Sequence, residues 1–520
     1  MSDPDVVIVG GGHNGLMAAA YLARAGLQVV VLEARDTFGG AVASTQVFDG
    51  VDASLSRFSY LVSVLPERII DDLGLDLELR SRQVASYTPL GEGGLLVERP
   101  EGAATAQSFR EITGGDAEYA AWQGFHAQLE RFAAVVAPTL LDPLPRADEL
   151  RRQLDPTVWS ALVDRPIGAW LEQTFGDDTV RGIVLTDALI GILAPAQDLS
   201  LRQNRCFVYH VIGNGTGEWR VPVGGMGAVA AAMERAARAS GAELRPGAPV
   251  TAISPLPAGG AVVTTAEGAQ VRARYVLANC APAVLETLLG RSPESKPEGS
   301  QTKVNLLVRR LPRLLSGVDP RVGFAGTMHL GQGYARLQQA YEQASAGTIP
   351  DPMPCEVYCH TLTDPSILSP ELQEAGWHTL TIFGLHTPAR LFTADPDGAR
   401  EMAKRAALRS LQSVLAEPLE DCLALDDHGR PCVEVMTPLD IEAELGMPGG
   451  HIFHGDLDWP WLADDAVVES PAQRWGVATD LPGVLLCGSG SIRGGAVSGL
   501  GGHSAAQAVL ESERARPAAS

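Results

Sequence analysis

The chain has 520 residues, 40 of them basic and 62 acidic, for a formal net charge of −22. With no Lys/Arg cluster, that balance excludes a nucleic-acid binder working through a basic face, and the acidity reads as solubility. At 45% hydrophobic and 20% charged residues the composition is that of an ordinary globular enzyme, and the length predicts two domains.

In chain order, the start MSDPD lacks the basic and apolar regions of a secretory signal. No run of about 20 apolar residues predicts a membrane span. A cytoplasmic protein is expected, with peripheral membrane contact and oligomeric state left open. Val6 to Val9 predict a short buried strand. Gly10, Gly12 and Gly15 then fit GxGxxG: the first glycine makes the tight turn, the second admits a pyrophosphate, and the third lets helix and strand pack closely. The following helix offers free N–H groups and its positive end to phosphates. Its apolar face, Leu16, Ala19, Ala20 and Ala23, recurs at helical spacing, and Gly26 ends it. Gln28 to Leu32 form the next strand. Glu33 closes it about 20 residues after the glycines, where a carboxylate accepts ribose hydroxyls. The set predicts a dinucleotide site.

Residues 91–215 are rich in amphipathic helix patterns, at Glu118 to Val136, Pro166 to Phe175 and Asp178 to Ile192. From 216 to 295 the pattern is strand end, glycine turn at 224–227, helix and short strand. PVTAI, AVVTTA and VRARYVLANC then read as three strands, with a hairpin turn at Glu267-Gly268 and a helix from Pro282. Strands are expected at Lys303 to Val308, Glu356 to Thr361 and Thr379 to Leu385, and a helix at Ala399 to Leu415. Val484 to Cys487 form a buried strand, followed by a loop dense in glycine, which implies a ligand, and a helix. The tail from Glu511 is expected to fray. The expected division is residues 1–90, 216–295 and 471–520 in a Rossmann-type α/β cofactor domain, with 91–215 and 296–470 in an interleaved α+β substrate domain.

The cysteines are Cys206, Cys280, Cys355, Cys359, Cys422, Cys432 and Cys487. An odd number without CxxC predicts neither a disulfide framework nor a redox pair. Cys355 and Cys359 are expected to pack from one face of a strand, and no metal site is expected.

Three observations favour FAD over NAD. Asp36, Gly39 and Gly40 follow the acidic residue, where the chain passes under an extended pyrophosphate and ribityl group. The C-terminal glycine loop is suited to covering an isoalloxazine. No second complete GxGxxG serves a nicotinamide domain.

GGGHNGLMAAAYLARAG, EARDTFGGAV, SRFSYLVSVLP, PVGGMGAV, GHIFHGDLDWPWL and LLCGSGSIRGGAVSGLGGHSAAQAVL together resemble the phytoene-desaturase-like FAD-dependent oxidoreductases. The nearest branch holds pyridine nucleotide-disulfide oxidoreductase domain-containing protein 2 and the monocyclic carotenoid ketolases. The resemblance implies that Gly10, Gly12, Asn14 and Gly15 contact the pyrophosphate and Glu33 the ribose. Ala34, Arg35, Gly39, Gly40 and Ala41 run along the cofactor, Val250 takes the adenine edge, and Gly488, Ser489, Gly495, Ala496 and Val497 wrap the flavin. Ala41 stands where many of these flavoproteins carry Arg.

The candidate catalytic residues are Arg57, Tyr60, Met226 and His454, with His454 the expected proton carrier. Trp459 and Trp461 are expected to wall an apolar channel or to pack between domains. His13 is expected near phosphate, while His210 and His386 receive no role. The expected activity is dehydrogenation of a hydrophobic, isoprenoid- or polyene-like molecule by hydride transfer to flavin. The alternatives are an NAD(P)H-driven reductase, a redox-neutral isomerase or cyclase, a ketolase, or a non-catalytic flavin-binding protein.

Overall fold

The computed structural model describes residues 3–516. Of the expected frayed tail, Glu511 to Arg514 continue a helix, and 517–520 lie outside the described residues.

A five-stranded parallel sheet runs in the order Val484–Leu486, Tyr275–Ala278, Val6–Val9, Val29–Leu32, Glu243–Arg245. Its central strand is covered on both faces, which is why it is an unbroken valine and isoleucine run. Val6 and Ile8 face the helices His13–Arg24, Gly225–Ala239 and Leu500–Arg514. Val7 and Val9 face a three-stranded antiparallel sheet, Val250–Pro255, Ala261–Thr265 and Gln270–Ala273, through Ile253 and Val263. The helix Leu500–Arg514 crosses His13–Arg24 at backbone contact. A Cβ on Gly502 would sit 2.0 Å from the Asn14 carbonyl oxygen.

VRARYVLANC is two strands rather than one. The chain leaves the antiparallel sheet at Ala273, and Tyr275–Ala278 joins the parallel sheet. Arg274 is the crossing residue, anchored through its side chain to Asp5 and Glu513. Alternating apolar residues continue through the crossing, so periodicity alone does not mark it.

The second large sheet has seven strands in the order Val433–Met436, Thr302–Val308, His378–Gly384, Cys355–Tyr358, Thr327–Leu330, Val84–Leu90, Gly93–Glu98. The division expected at residue 90 therefore falls inside a hairpin, Val84–Leu90 with Gly93–Glu98, that belongs whole to this sheet. The helical pattern that marked the boundary begins only after the hairpin, at Ala103.

The helix expected from Asp178 to Ile192 ends at Thr186. Tight turns replace it, with the Ala188 and Leu189 amides donating to the Leu185 and Thr186 carbonyls, and Gly191 adopts a φ of +79°. Cys355 lies in its strand, but the strand ends at Tyr358, which leaves Cys359 beyond it. The two thiols donate or bond to different partners, the Met353 carbonyl and the Thr361 hydroxyl, and both are free.

Candidate functional site

The site begins where the parallel strands end. Gly10 turns with a φ of +101°, and the Asn279 side-chain amide donates to its carbonyl at 2.8 Å. A Cβ on Gly15 would stand 2.3 Å from the Gly10 oxygen, so only glycine closes this turn onto the helix. Gly12 precedes the helix His13–Arg24 without offering any side-chain acceptor, which leaves first-turn amides free. Glu33 is buried at the end of the next strand. Its two oxygens accept the Gly11 amide at 2.7 Å and the Arg35 amide at 2.9 Å. Gly39 donates to the Gly11 carbonyl at 2.9 Å, and Gly40 passes so close to Gly12 that a Cβ there would lie 3.3 Å from the Gly12 Cα. Ala34 and Arg35 occupy the same corner. The Ala248 amide reaches the Glu33 carbonyl at 2.7 Å, which brings the strand starting at Val250 toward it.

These loops fit a dinucleotide. The Asn14 Nδ2 is buried without a hydrogen-bond partner beside the helix start, and a buried orphan donor there is satisfied by a phosphate oxygen.

The C-terminal glycine loop closes over the other end. Gly488 lies against the Asn279 backbone, and Gly495 against Leu457. His13 Nε2 sits 3.1 Å from the Ala496 carbonyl, joining the two glycine loops. Burial pulls the His13 ring down to about 4, so it is neutral and carries no charge toward a phosphate at physiological pH.

His13, Ala41, Ser489, Ala496 and Val497 line one end of a cavity of about 730 Å³. Tyr60 lines it too, its ring 4.9 Å from that of Tyr358 and 6.4 Å from that of Phe383. Trp122, Phe125 and Phe207 give it apolar walls. Farther along lies a group of polar side chains: Arg82, His329 and Glu356, all buried, with Tyr358 and Asp187 half-buried. Burial raises Glu356 to about 8, helped by the charge of Asp187, and the Tyr358 hydroxyl donates to it at 2.7 Å.

Three expected catalytic residues do not reach this cavity. Arg57 is held by Glu434 at 2.7 Å and Glu444 at 2.5 Å, as a strut between segments. Met226 is fully buried core, and its amide donates to the Ser56 hydroxyl at 3.0 Å. His454 sits beside Gly490 of the C-terminal glycine loop with a φ of +66° and an unpartnered Nδ1. Burial lowers its pKa to about 4, with His13 and His451 adding to the effect, so the ring is uncharged near neutral pH. Trp459 and Trp461 stack on each other at 5.1 Å, and Trp461 meets Trp159 at 5.3 Å, away from the cavity lining. Arg493 ties their loop to the C-terminal glycine loop by donating to the Pro460, Leu140 and Asp142 carbonyls.

Lys303 is the lone charge in the strand TKVNLLV, and nothing local in the sequence marks it as part of the site. It is buried behind the cavity wall, donates to the Ser56 and Ser59 carbonyls at 2.5 and 3.1 Å, and lies over the Phe383 ring. Burial pulls its ammonium down to about 7 from 10.5. The unfolded chain holds that proton up to the higher value, so the folded protein gains stability as pH rises across the window. Lys303→Met should remove this rise, measured by urea unfolding at both ends of the window. An unchanged slope would contradict the burial of this amine.

Residues 15–318 match the family described as flavin containing amine oxidoreductase. The chain belongs to that family. An uncharacterized protein of Mycobacterium tuberculosis is 48% identical over 98% of this chain and 97% of its own length. Pyridine nucleotide-disulfide oxidoreductase domain-containing protein 2 of Mus musculus is 29% identical over 97% of this chain and 93% of its own. Hydroxyneurosporene desaturase of Cereibacter sphaeroides is 27% identical over 56% and 59%. The solved structure of putrescine oxidase covers 99% of both chains at a TM-score of 0.59 and 20% identity, a likeness of fold.

The cofactor of this flavin oxidoreductase is FAD, in keeping with the Asn14 orphan and the glycine cradle. Glu33→Ala should strip flavin from the purified protein, because it frees the Gly11 and Arg35 amides, whereas His454→Ala should retain it. The flavin-to-protein absorbance ratio reads both, and equal loss would contradict the separate roles. No helix among the described residues is long and apolar enough to cross a membrane.

Proposed function

We propose that this flavin oxidoreductase dehydrogenates a hydrophobic, isoprenoid- or polyene-like small molecule. The observation that carries the reading is the apolar-walled cavity of about 730 Å³ that runs from the flavin-loop residues Ala496 and Val497 past Tyr60 to the buried polar group. Its size and aromatic walls suit an extended apolar ligand. The similarity to hydroxyneurosporene desaturase supports the same chemical class.

Bound FAD supplies a hydride acceptor at N5. The chain's own residues bind and orient. Tyr60, Tyr358 and Phe383 wall the passage, Phe125 and Phe207 hold the apolar body, and the two glycine loops exclude water from the reacting end. Neutral His13 places no positive charge there to trap an anion.

Anaerobic mixing with NADH and NADPH tests the direction of electron flow. A flavin spectrum that stays oxidised is expected for an enzyme reduced by its organic substrate. Rapid bleaching would make it a nicotinamide-driven reductase or isomerase instead.

A further inference from the structure

We propose that Arg82 is the anchor for a carboxylate at one end of the substrate, so that the ligand is an apolar acid rather than a pure hydrocarbon. The proposal rests on the oxidoreductase reading of the same cavity and names the substrate class more closely.

The anomaly is a buried cation without a counter-ion. Arg82 is 7% exposed and lines the cavity. Its guanidinium has five donors. One is directed to the Thr327 hydroxyl, at a long 3.4 Å, and the group lies 5.6 Å from the Tyr358 ring centre. Among the described residues Arg82 forms no ion pair. The other guanidinium lining the cavity, Arg99, has a counter-ion, with Glu218 at 3.6 Å. Removing a guanidinium from water without pairing it is expensive. Such a group persists at a cavity wall when a ligand anion completes it, and its planar fork matches a carboxylate.

The neighbouring acids do not fill this role. Glu356 is held near neutrality by burial and already accepts the Tyr358 hydroxyl. Asp187, half-buried, forms no ion pair with Arg82 among the described residues; burial pushes its carboxyl upward, with His210 acting against the shift. His329 is neutral, its ring lowered to about 4 by burial and its Nδ1 bonded to the Gln332 side chain. Arg82 offers one guanidinium fork without an ion pair, which matches one carboxylate. A phosphate, with its greater charge, is disfavoured at the same place, and protonated Glu356 is able to donate to a carboxylate but not to an ammonium. The apolar remainder of the ligand extends along Phe125 and Phe207 toward Tyr60.

The test is equilibrium dialysis of oxidised holoenzyme with four saturated ligands that differ only in headgroup: dodecanoate, dodecanol, dodecylamine and dodecyl phosphate. Dodecanoate is expected to bind tightest. Arg82→Met should weaken it by at least about 30-fold while leaving dodecanol nearly unchanged. Arg82→Lys, which keeps the charge but loses the fork, should fall between the two and retain the preference for the acid. It also serves if Arg82→Met does not fold, which flavin content reports.

Equal affinity for dodecanoate and dodecanol would overturn the proposal, as would tightest binding of the amine or phosphate, or an Arg82→Met variant with unaltered dodecanoate affinity. Binding is read without turnover. Failure of the dehydrogenase reading would instead appear as headgroup-selective binding with no flavin reduction by any unsaturable acid.

Discussion

Gly15→Ala is expected to yield a protein that retains no flavin. The added Cβ would stand 2.3 Å from the Gly10 carbonyl oxygen and 2.7 Å from the Asn279 Nδ2. Both are parts of the cradle: the first is backbone, and the second is a side-chain amide held by its hydrogen bond to that same Gly10 carbonyl. Relief requires the helix start to move off the strand, which takes the first-turn amides and the Asn14 side chain away from the phosphates. Losing two or more charge-assisted hydrogen bonds lowers FAD affinity by at least about 100-fold. Gly124→Ala is the matched control. That glycine lies inside the helix Ala117–Val136 with nothing within 4 Å of the added carbon. It should keep its flavin and gain up to about 1 kcal/mol in stability from helix propensity. Flavin bound per chain after gel filtration, with thermal unfolding alongside, separates the two. A Gly15→Ala protein that stays yellow would mean the loop does not hold the cofactor.

Phe125→Ala is the second large effect, and it falls on the scaffold of the substrate cavity. Phe125 is fully buried in the helix Ala117–Val136. Its ring packs 4.4 Å from Trp170, 5.3 Å from Phe175 and 6.4 Å from Phe207. These rings come from two other segments, so one truncation loosens the helical layer and leaves a void against the cavity. A loss of about 3–5 kcal/mol is expected. Phe125→Leu refills most of the volume and should cost much less. Urea unfolding followed by tryptophan fluorescence measures both. A loss below about 1 kcal/mol for the alanine variant would contradict this aromatic packing.

Much of the cofactor end was legible because its physics is local. Gly10, Gly12, Gly15 and Glu33 lie within one strand, turn, helix and strand, and each carries a conformational or hydrogen-bonding demand that few residue types satisfy. The loop from Gly488 to Gly499 was legible for the same reason: such density of glycine is costly without a ligand. The hairpin turn at Gly268 and the helices Ala117–Val136 and Pro396–Gln412 follow from turn chemistry and period.

The substrate end was not legible, because long-range packing builds it. Arg82, Glu356 and Tyr358 meet only when strands distant in sequence align in one sheet. Nothing local to Arg82 separates it from an exposed arginine. Arg57 was a reasonable candidate by position near the flavin segment, but its acidic partners stand far along the chain at Glu434 and Glu444. His454 carried the right chemistry in a polar motif, and burial beside His13 and His451 removes its charge. The break at Arg274 was hidden because two strands of different sheets share one alternating pattern.

The most direct test of the account is an anaerobic titration of the purified holoenzyme with farnesoic acid, farnesol and putrescine, following the flavin absorbance. Bleaching by the isoprenoid compounds, strongest with the acid and absent with putrescine, is the predicted result. Bleaching by putrescine while the isoprenoids leave the flavin oxidised would contradict the central claim and make the protein an oxidase of amines.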